Sequence, residues 1–231
     1  MGNKPDFSYT AKLMADSSRA AMLEALLDLD GLPASELAKR ANISLQTASG
    51  HLTKLVDGNL LCVEKHGRHR YFRIANADVA QAIEMLTVIA PPPKINSLKD
   101  FSRAKNIQIA RTCYDHLAGK LGVLLTDALI ENGYLLEEEN NFLVTKEGEQ
   151  FFHDFNIDLE ALRQKRRHFA RKCLDWSERR YHLAGALGNA ILIRLFDLGW
   201  IERLPGRAVR VTDTGEKGLY ESLGITTKEL G

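Results

Sequence analysis

Ile43-Ser44-Leu45-Gln46-Thr47-Ala48-Ser49-Gly50-His51-Leu52-Thr53-Lys54-Leu55-Val56 is followed closely by Leu60-Leu61-Cys62-Val63-Glu64 and then by Lys65-His66-Gly67-Arg68-His69-Arg70-Tyr71. In the first run Leu45, Ala48, Leu52, Leu55 and Val56 recur at three-and-four spacing, which predicts a helix with those residues facing inward. Ser44 is a good N-cap for it. The outward face carries Gln46, Thr47, Ser49, Gly50, His51 and Lys54. Short polar groups near the N-terminus, then longer basic ones, suit a helix whose first turns enter the DNA major groove. Hydroxyls bond phosphates, Gln pairs with adenine, and Gly permits close approach. The bland alternative is an amphipathic helix with a solvated face. The residues beyond the helix favour the groove: Leu60–Glu64 and Tyr71–Ile74 have strand composition, and Lys65–Arg70 is a basic turn with Gly67 at its tip. A hairpin wing beside a phosphate backbone needs such charge; a merely solvated hairpin does not. From Ile43 to Arg73 there are five Lys or Arg against two acids, although the 231-residue chain has a net charge of only +1. The expected DNA contacts are therefore Ser44, Gln46, Thr47, Ser49, Gly50, His51 and Lys54 on the helix, with Lys65, Arg68, His69 and Arg70 on the wing.

Working outward, Tyr9–Leu29 has a helical apolar stripe interrupted by Asp16-Ser17-Ser18, which can cap a second helix. Ser35–Ala41 reads as a short amphipathic helix. Asn76 can cap a helix running to Pro91-Pro92-Pro93. That last helix is more apolar than its own small domain needs, so it and the first helix are expected to form a dimer interface. Three scattered cysteines, Cys62, Cys113 and Cys173, exclude a disulfide framework. The polar N-terminus lacks a signal core, and no apolar run approaches the ~20 residues that span a bilayer. A reduced, cytoplasmic setting with no membrane contact is the expectation.

Residues 7–90 resemble the ArsR-type winged helix-turn-helix regulators. The likeness lies in Ala11–Arg19, in Ser35-Glu36-Leu37-Ala38, in Ser44–Leu55 with its Ser-Gly-His-Leu core, and in the Gly-Arg-His-Arg-Tyr wing. The family implies a homodimeric repressor that leaves its operator when a metal or other signal binds. The metal part does not carry over. Members that sense metal on the helix before the recognition helix use paired cysteines, and Ser35–Arg40 has none. Members that sense it on the last helix use Asp and His, and Asp78–Met85 has no His. No metal and no cofactor are expected.

The remaining chain repeats itself. His116-Leu117-Ala118-Gly119-Lys120-Leu121-Gly122 and His182-Leu183-Ala184-Gly185-Ala186-Leu187-Gly188 agree at six of seven positions. Asn132-Gly133-Tyr134-Leu135 answers Leu198-Gly199-Trp200-Ile201, and Gly148 answers Gly215. Each copy, about 111–157 and 177–225, reads as helix, Gly turn, strand, hairpin, strand and short helix. Between them, 158–180 reads as one long basic helix. His116 follows Cys113 at Cys-x-x-His spacing. His182 has no Cys three residues before it, so a shared structural role is the expected reason for the repeated His. If an effector pocket exists, Arg111, Cys113, Tyr114 and His116 should meet Asp175, Trp176 and Arg179 there. No Ser-His-Asp order, phosphate loop or supported carboxylate pair points to an enzyme.

The expected fold is mainly α with small β-hairpins (α+β): a winged helix-turn-helix domain at 1–90, a proline-rich linker at 91–96, and a half of two winged-helix-like repeats at 97–231. The expected function is a homodimeric repressor on double-stranded DNA with an inverted-repeat operator. Its release is expected from a signal acting through the C-terminal half, with a small-molecule effector as one candidate. The alternatives are a winged-helix module for protein contact, and a redox- or metal-responsive regulator using Cys113 and Cys173.

Overall fold

The computed structural model describes residues 6–29, 31–91 and 97–230. It divides into two compact units, one ending at Ile83 and one beginning at Glu84. The division falls inside a helix ahead of the proline run. The expected linker lies largely at 92–96, outside the described residues. No helix among the described residues is long and apolar enough to cross a membrane.

In the first unit, α1 (Phe7–Met14) and α2 (Ser17–Asp28) are separate because Asp16 caps the second. Its carboxylate accepts the Arg19 amide at 3.0 Å. The two-residue strand β1 (Leu32–Pro33) leads into α3 (Ala34–Arg40) and α4 (Leu45–Asp57). Strands β2 (Leu61–His66) and β3 (His69–Ile74) come next, and the antiparallel sheet has the order β1-β3-β2. Met22, Leu37, Leu52 and Leu55 fill the core. Ser44 caps α4 by accepting the Thr47 amide at 3.1 Å. Leu45 departs from its expected inward position and is 55% exposed. It shares a helix face with the buried Leu52, so the first turn of α4 projects past the core. Helix α5 (Ala77–Ile89) starts where Asn76 accepts the Val79 amide at 3.0 Å.

The second unit opens with α6 (Leu98–Ile109). Next come β4 (Arg111–Cys113), β5 (His116–Ala118), α7 (Gly119–Glu131), β6 (Leu135–Glu137), β7 (Phe142–Val144) and α8 (Lys146–Asp154). After the short α9 (Leu159–Arg163), the same order recurs. The second set is β8 (Arg171–Leu174), β9 (Tyr181–Ala184), α10 (Gly185–Asp197), β10 (Ile201–Arg203), β11 (Val209–Val211) and α11 (Asp213–Leu223), closed by a 3₁₀ turn at Thr227–Leu230.

Two expectations are corrected here. Each copy opens on a pair of strands and not on the expected helix, and His116 and His182 lie on β5 and β9. The helices begin only at Gly119 and Gly185, whose φ values of 76° and 84° let the backbone turn out of the strand. Nor is 158–180 one helix. Its basic residues favour helix, but its backbone groups find partners elsewhere. The carbonyls of His168 and Phe169 accept the Ala186 and Leu187 amides at 2.9 and 2.8 Å. Arg171–Leu174 pairs with Tyr181–Ala184. Pairing across the fold overrides local propensity.

The two sets interlock. The Thr112 amide donates to the Arg207 carbonyl at 2.8 Å, joining β4 to the β10–β11 hairpin. Reciprocally, the Lys172 amide donates to the Asn140 carbonyl at 3.2 Å, joining β8 to the β6–β7 hairpin. Leu121 and Leu187, at equivalent helix positions, both lie at the centre of the shared core with Leu129, Phe152 and Leu195.

Candidate functional site

The face of α4 turned away from the core carries Gln46, Thr47, Ser49, Gly50, Thr53 and Lys54, all exposed. Ser44 is exposed as well, but its hydroxyl is engaged in the cap and lies 2.8 Å from the Thr47 hydroxyl. A Cβ on Gly50 would meet nothing within 4 Å, so no packing inside the chain requires a glycine there. His51 sits differently from the rest of the set. It is half-buried, with Nδ1 3.2 Å from an Arg19 guanidinium nitrogen and 3.8 Å from Asp16. Arg19 in turn donates to the carbonyls of Leu13 and Lys12 at 2.5 and 2.8 Å. His51 thus ties α4 to the α1–α2 corner, and Arg19 is a residue that the sequence alone does not single out. Its signal there is the Asp16 cap three residues before it.

On the wing, Lys65 faces Arg70 and His66 faces His69 across the strands, with Arg68 beside the turn. All are exposed. Glu64 lies 3.1 Å from Arg73 at the base of the hairpin. Among the described residues, none of Lys54, Lys65, Arg68 and Arg70 is in an ion pair. Among the described residues these four positive charges are therefore not neutralised by acids.

In the second unit the expected pocket residues separate into two groups. Arg111 and Asp175 are 1% and 0% exposed and pair at 2.8 Å. The Arg111 guanidinium lies 4.6 Å from the centre of the Trp176 ring. Asp175 also accepts the Gly119 amide at 2.7 Å, the Ser177 hydroxyl at 2.7 Å and the amides of Ser177 and Glu178. Burial works to raise the Asp175 pKa, but the Arg111 charge and these donors hold it well below the usual carboxylate range. Arg111, Asp175 and Trp176 contact one another and cross-link the two copies. Tyr114 and Arg179 lie in the segments joining β4 to β5 and β8 to β9, both with positive φ, and Arg179 donates to the Val88 carbonyl at 2.8 Å.

Cys113 and His116 form the second group with Cys173, the cysteine that the sequence reading already pairs with Cys113, and the structure adds His182. Cys113 is directly opposite His116 in β4–β5, and Cys173 is directly opposite His182 in β8–β9. The Cys–His relation is therefore present in both copies. The second is hidden in sequence because the turn between its strands is longer. The four ligand atoms lie within 4.8 Å of one another, and all four residues are buried. The two Nε2 atoms are 3.1 Å apart and the two Sγ atoms 4.0 Å apart. Behind each imidazole stands a carboxylate two residues after the cysteine: Asp115 at 3.4 Å from His116 Nδ1, Asp175 at 3.6 Å from His182 Nδ1. Arg167 pairs with Asp115 at 2.5 Å. The Cys173 sulfur and burial push the Cys113 thiol up. Burial and the His116 charge hold His182 well below the ordinary imidazole range. Burial also opposes charge on His116, but the Cys113 sulfur and Asp115 outweigh it, and its pKa is pushed up to about 9.

A family model described as a helix-turn-helix domain matches residues 14–64. Over 222 residues the chain is 49% identical to the HTH-type transcriptional regulator YdfF of Bacillus subtilis (strain 168), covering 96% of this chain and 98% of that protein. Over 84 residues it is 31% identical to the arsenical resistance operon repressor of Staphylococcus aureus, covering 36% of this chain and 80% of that protein. The chain belongs to the ArsR-type winged helix-turn-helix regulators. Among solved structures it is similar to a homodimeric winged helix-turn-helix DNA-binding domain from Mycobacterium bovis, a possible ArsR-family regulator, at 26% identity over 38% of this chain and 89% of that chain, with a TM-score of 0.34. It is also similar to HlyU from Vibrio cholerae, at 28% identity over 36% of this chain and 88% of that chain, with a TM-score of 0.33.

In this ArsR-type regulator, α3 carries no cysteine and α5 no histidine. The one cluster of soft ligands among the described residues lies in the second unit, outside the matched helix-turn-helix domain.

Proposed function

We propose that this ArsR-type regulator is a homodimeric repressor that binds an inverted-repeat operator in double-stranded DNA and is released by a signal acting through its second unit. The reading rests on one observation. The projecting turn of α4 and the wing present exposed polar and basic groups, and the chain itself leaves Lys54, Arg68 and Arg70 without ion-pair partners among the described residues. Gln46, Thr47, Ser49 and Gly50 enter the major groove, while Lys65, Arg68, His69 and Arg70 grip the adjoining backbone. Ser44 caps the helix at the phosphate line, and His51 positions it from behind.

Dimerisation draws on exposed apolar residues of the terminal helices, Phe7 and Tyr9 on α1 and Met85, Leu86 and Ile89 on α5. Two heads related by a twofold axis place half-sites about one helical turn apart. A reducing cytoplasm is the setting its free thiols suit.

The test is a gel shift on the chain's own promoter region with Lys54→Ala, Arg68→Ala and Arg70→Ala. Each lost phosphate contact should lower the slope of log affinity against log salt by about 0.9 and weaken binding. Binding that stays at the parent level with the parent salt slope would reject the interface.

A further inference from the structure

We propose that Cys113, His116, Cys173 and His182 bind one zinc ion where the β4–β5 and β8–β9 hairpins meet. The metal joins the two sets, which are otherwise held together by core packing, backbone hydrogen bonds such as Thr112 to Arg207 and Lys172 to Asn140, and the Arg111–Asp175 pair.

The geometry is the first argument. Tetrahedral zinc with bonds of about 2.0–2.1 Å to nitrogen and about 2.3 Å to sulfur sets ligand atoms about 3.3 Å apart for two nitrogens and about 3.8 Å for two sulfurs. The chain holds its nitrogens at 3.1 Å and its sulfurs at 4.0 Å. Ligands arriving from two hairpins at matching positions also give the two-plus-two arrangement that a tetrahedron needs.

The second argument is the supporting shell. Ligating histidines almost always donate their other ring N–H to a carboxylate, carbonyl or water, which fixes the tautomer with the free lone pair toward the metal. Asp115 is within hydrogen-bond reach of His116 Nδ1 at 3.4 Å, while Asp175 stands 3.6 Å from His182 Nδ1, just outside that reach and positioned to take up the role with a small shift. Without an ion, two buried Nε2 atoms face each other and share at most one proton. With it, both lone pairs are used.

Charge is the third. Two thiolates balance a divalent ion, so the buried site is neutral overall. The bound state is M(SR)₂ with two neutral imidazoles, so binding releases the two thiol protons together with any proton His116 carries, and involves no redox change. A sulfur- and nitrogen-only ligand set excludes magnesium, calcium and manganese as preferred occupants. A disulfide is the competing use of the cysteines, but it needs sulfurs at about 2.05 Å and leaves the two histidines facing each other without purpose.

The experiment uses the full chain isolated under reducing conditions. Elemental mass spectrometry should find one zinc per chain. Cys113→Ser, Cys173→Ser and His182→Gln should each lose it, while Cys62→Ser should keep it. Because a buried ligand variant can misfold, the parent chain is also stripped with chelator and titrated with cobalt(II). One equivalent should produce thiolate charge-transfer and tetrahedral d–d bands, and zinc should displace them. The proposal is overturned by a parent chain with no zinc and no such bands, by full zinc in Cys113→Ser, or by a Cys113–Cys173 disulfide in freshly isolated protein. None of these readouts depends on DNA binding, so they stand apart from the repressor reading.

Discussion

At the scale of single residues, two carboxylates show how context sets the worth of one charge. Asp16 is half-exposed and caps α2, so its contribution is that of an N-cap, about 0.5–2 kcal/mol. The Arg19 amide does most to hold its pKa below the ordinary 3.8. A lowered folded pKa means the stabilisation is complete above the unfolded value and lost as pH falls through the folded one. Asp16→Ala should therefore unfold at lower denaturant than the parent at pH 7, and the gap should close as pH drops below about 4. Urea titrations at both pH values check this. Asp175 is the opposite case. It is wholly buried and bonded to Arg111, so Asp175→Asn strands a buried guanidinium. The expected loss is about 3–5 kcal/mol by denaturant unfolding. A loss near that of a surface substitution would show that Arg111 finds another partner.

Among the elements, α4 separates folding from binding. Gly in a helix interior costs roughly 1 kcal/mol relative to Ala, and a Cβ on Gly50 meets no atom of the chain. Gly50→Ala should raise the unfolding midpoint while weakening operator binding, because on the proposed interface the methyl group stands between the helix and DNA. Improved stability with unchanged binding would place Gly50 off the interface. Gly188 in α10 gives the reverse sign for folding alone, since its Cβ would sit 2.4 Å from the Leu183 carbonyl oxygen. The same elements show what sequence reveals. The α4 helix and the wing are legible because their signals are local: a cap, a three-and-four stripe, a Gly-tipped basic turn. The helix starts at Gly119 and Gly185 are not, because the strands before them are defined by partners far along the chain. The run 158–180 reads as helical because arginine and lysine favour helices, whereas its strand forms only against Tyr181–Ala184. The second Cys–His pair is hidden for the same reason. Spacing along the chain shows Cys113 and His116 and leaves Cys173 as a lone cysteine, and only pairing across β8–β9 sets His182 opposite it.

For the whole molecule, the question is how one small head gains enough affinity for a defined operator. A single winged head makes few contacts, and most of them are to phosphate, so it binds weakly and loses affinity steeply with salt. Linking two heads makes the second contact intramolecular and multiplies affinity by about 10²–10⁴. Phe7 and Ile89 are 81% and 79% exposed, more than an isolated helix end needs, and polar substitutions there remove no core packing. Phe7→Ser and Ile89→Ser should therefore leave the unfolding midpoint within about 0.5 kcal/mol of a surface change once dimer linkage is accounted for. In sedimentation at micromolar concentration they should shift the chain from dimer toward monomer. On DNA they should reduce affinity for an inverted repeat by about 10²-fold or more, while binding to one half-site stays at the parent level. Lys54→Ala, by contrast, should weaken both duplexes, because it acts within each head. If Phe7→Ser and Ile89→Ser remain dimers with full affinity for the inverted repeat, the pairing surface lies elsewhere on the chain, and the exposed ends of α1 and α5 need another explanation.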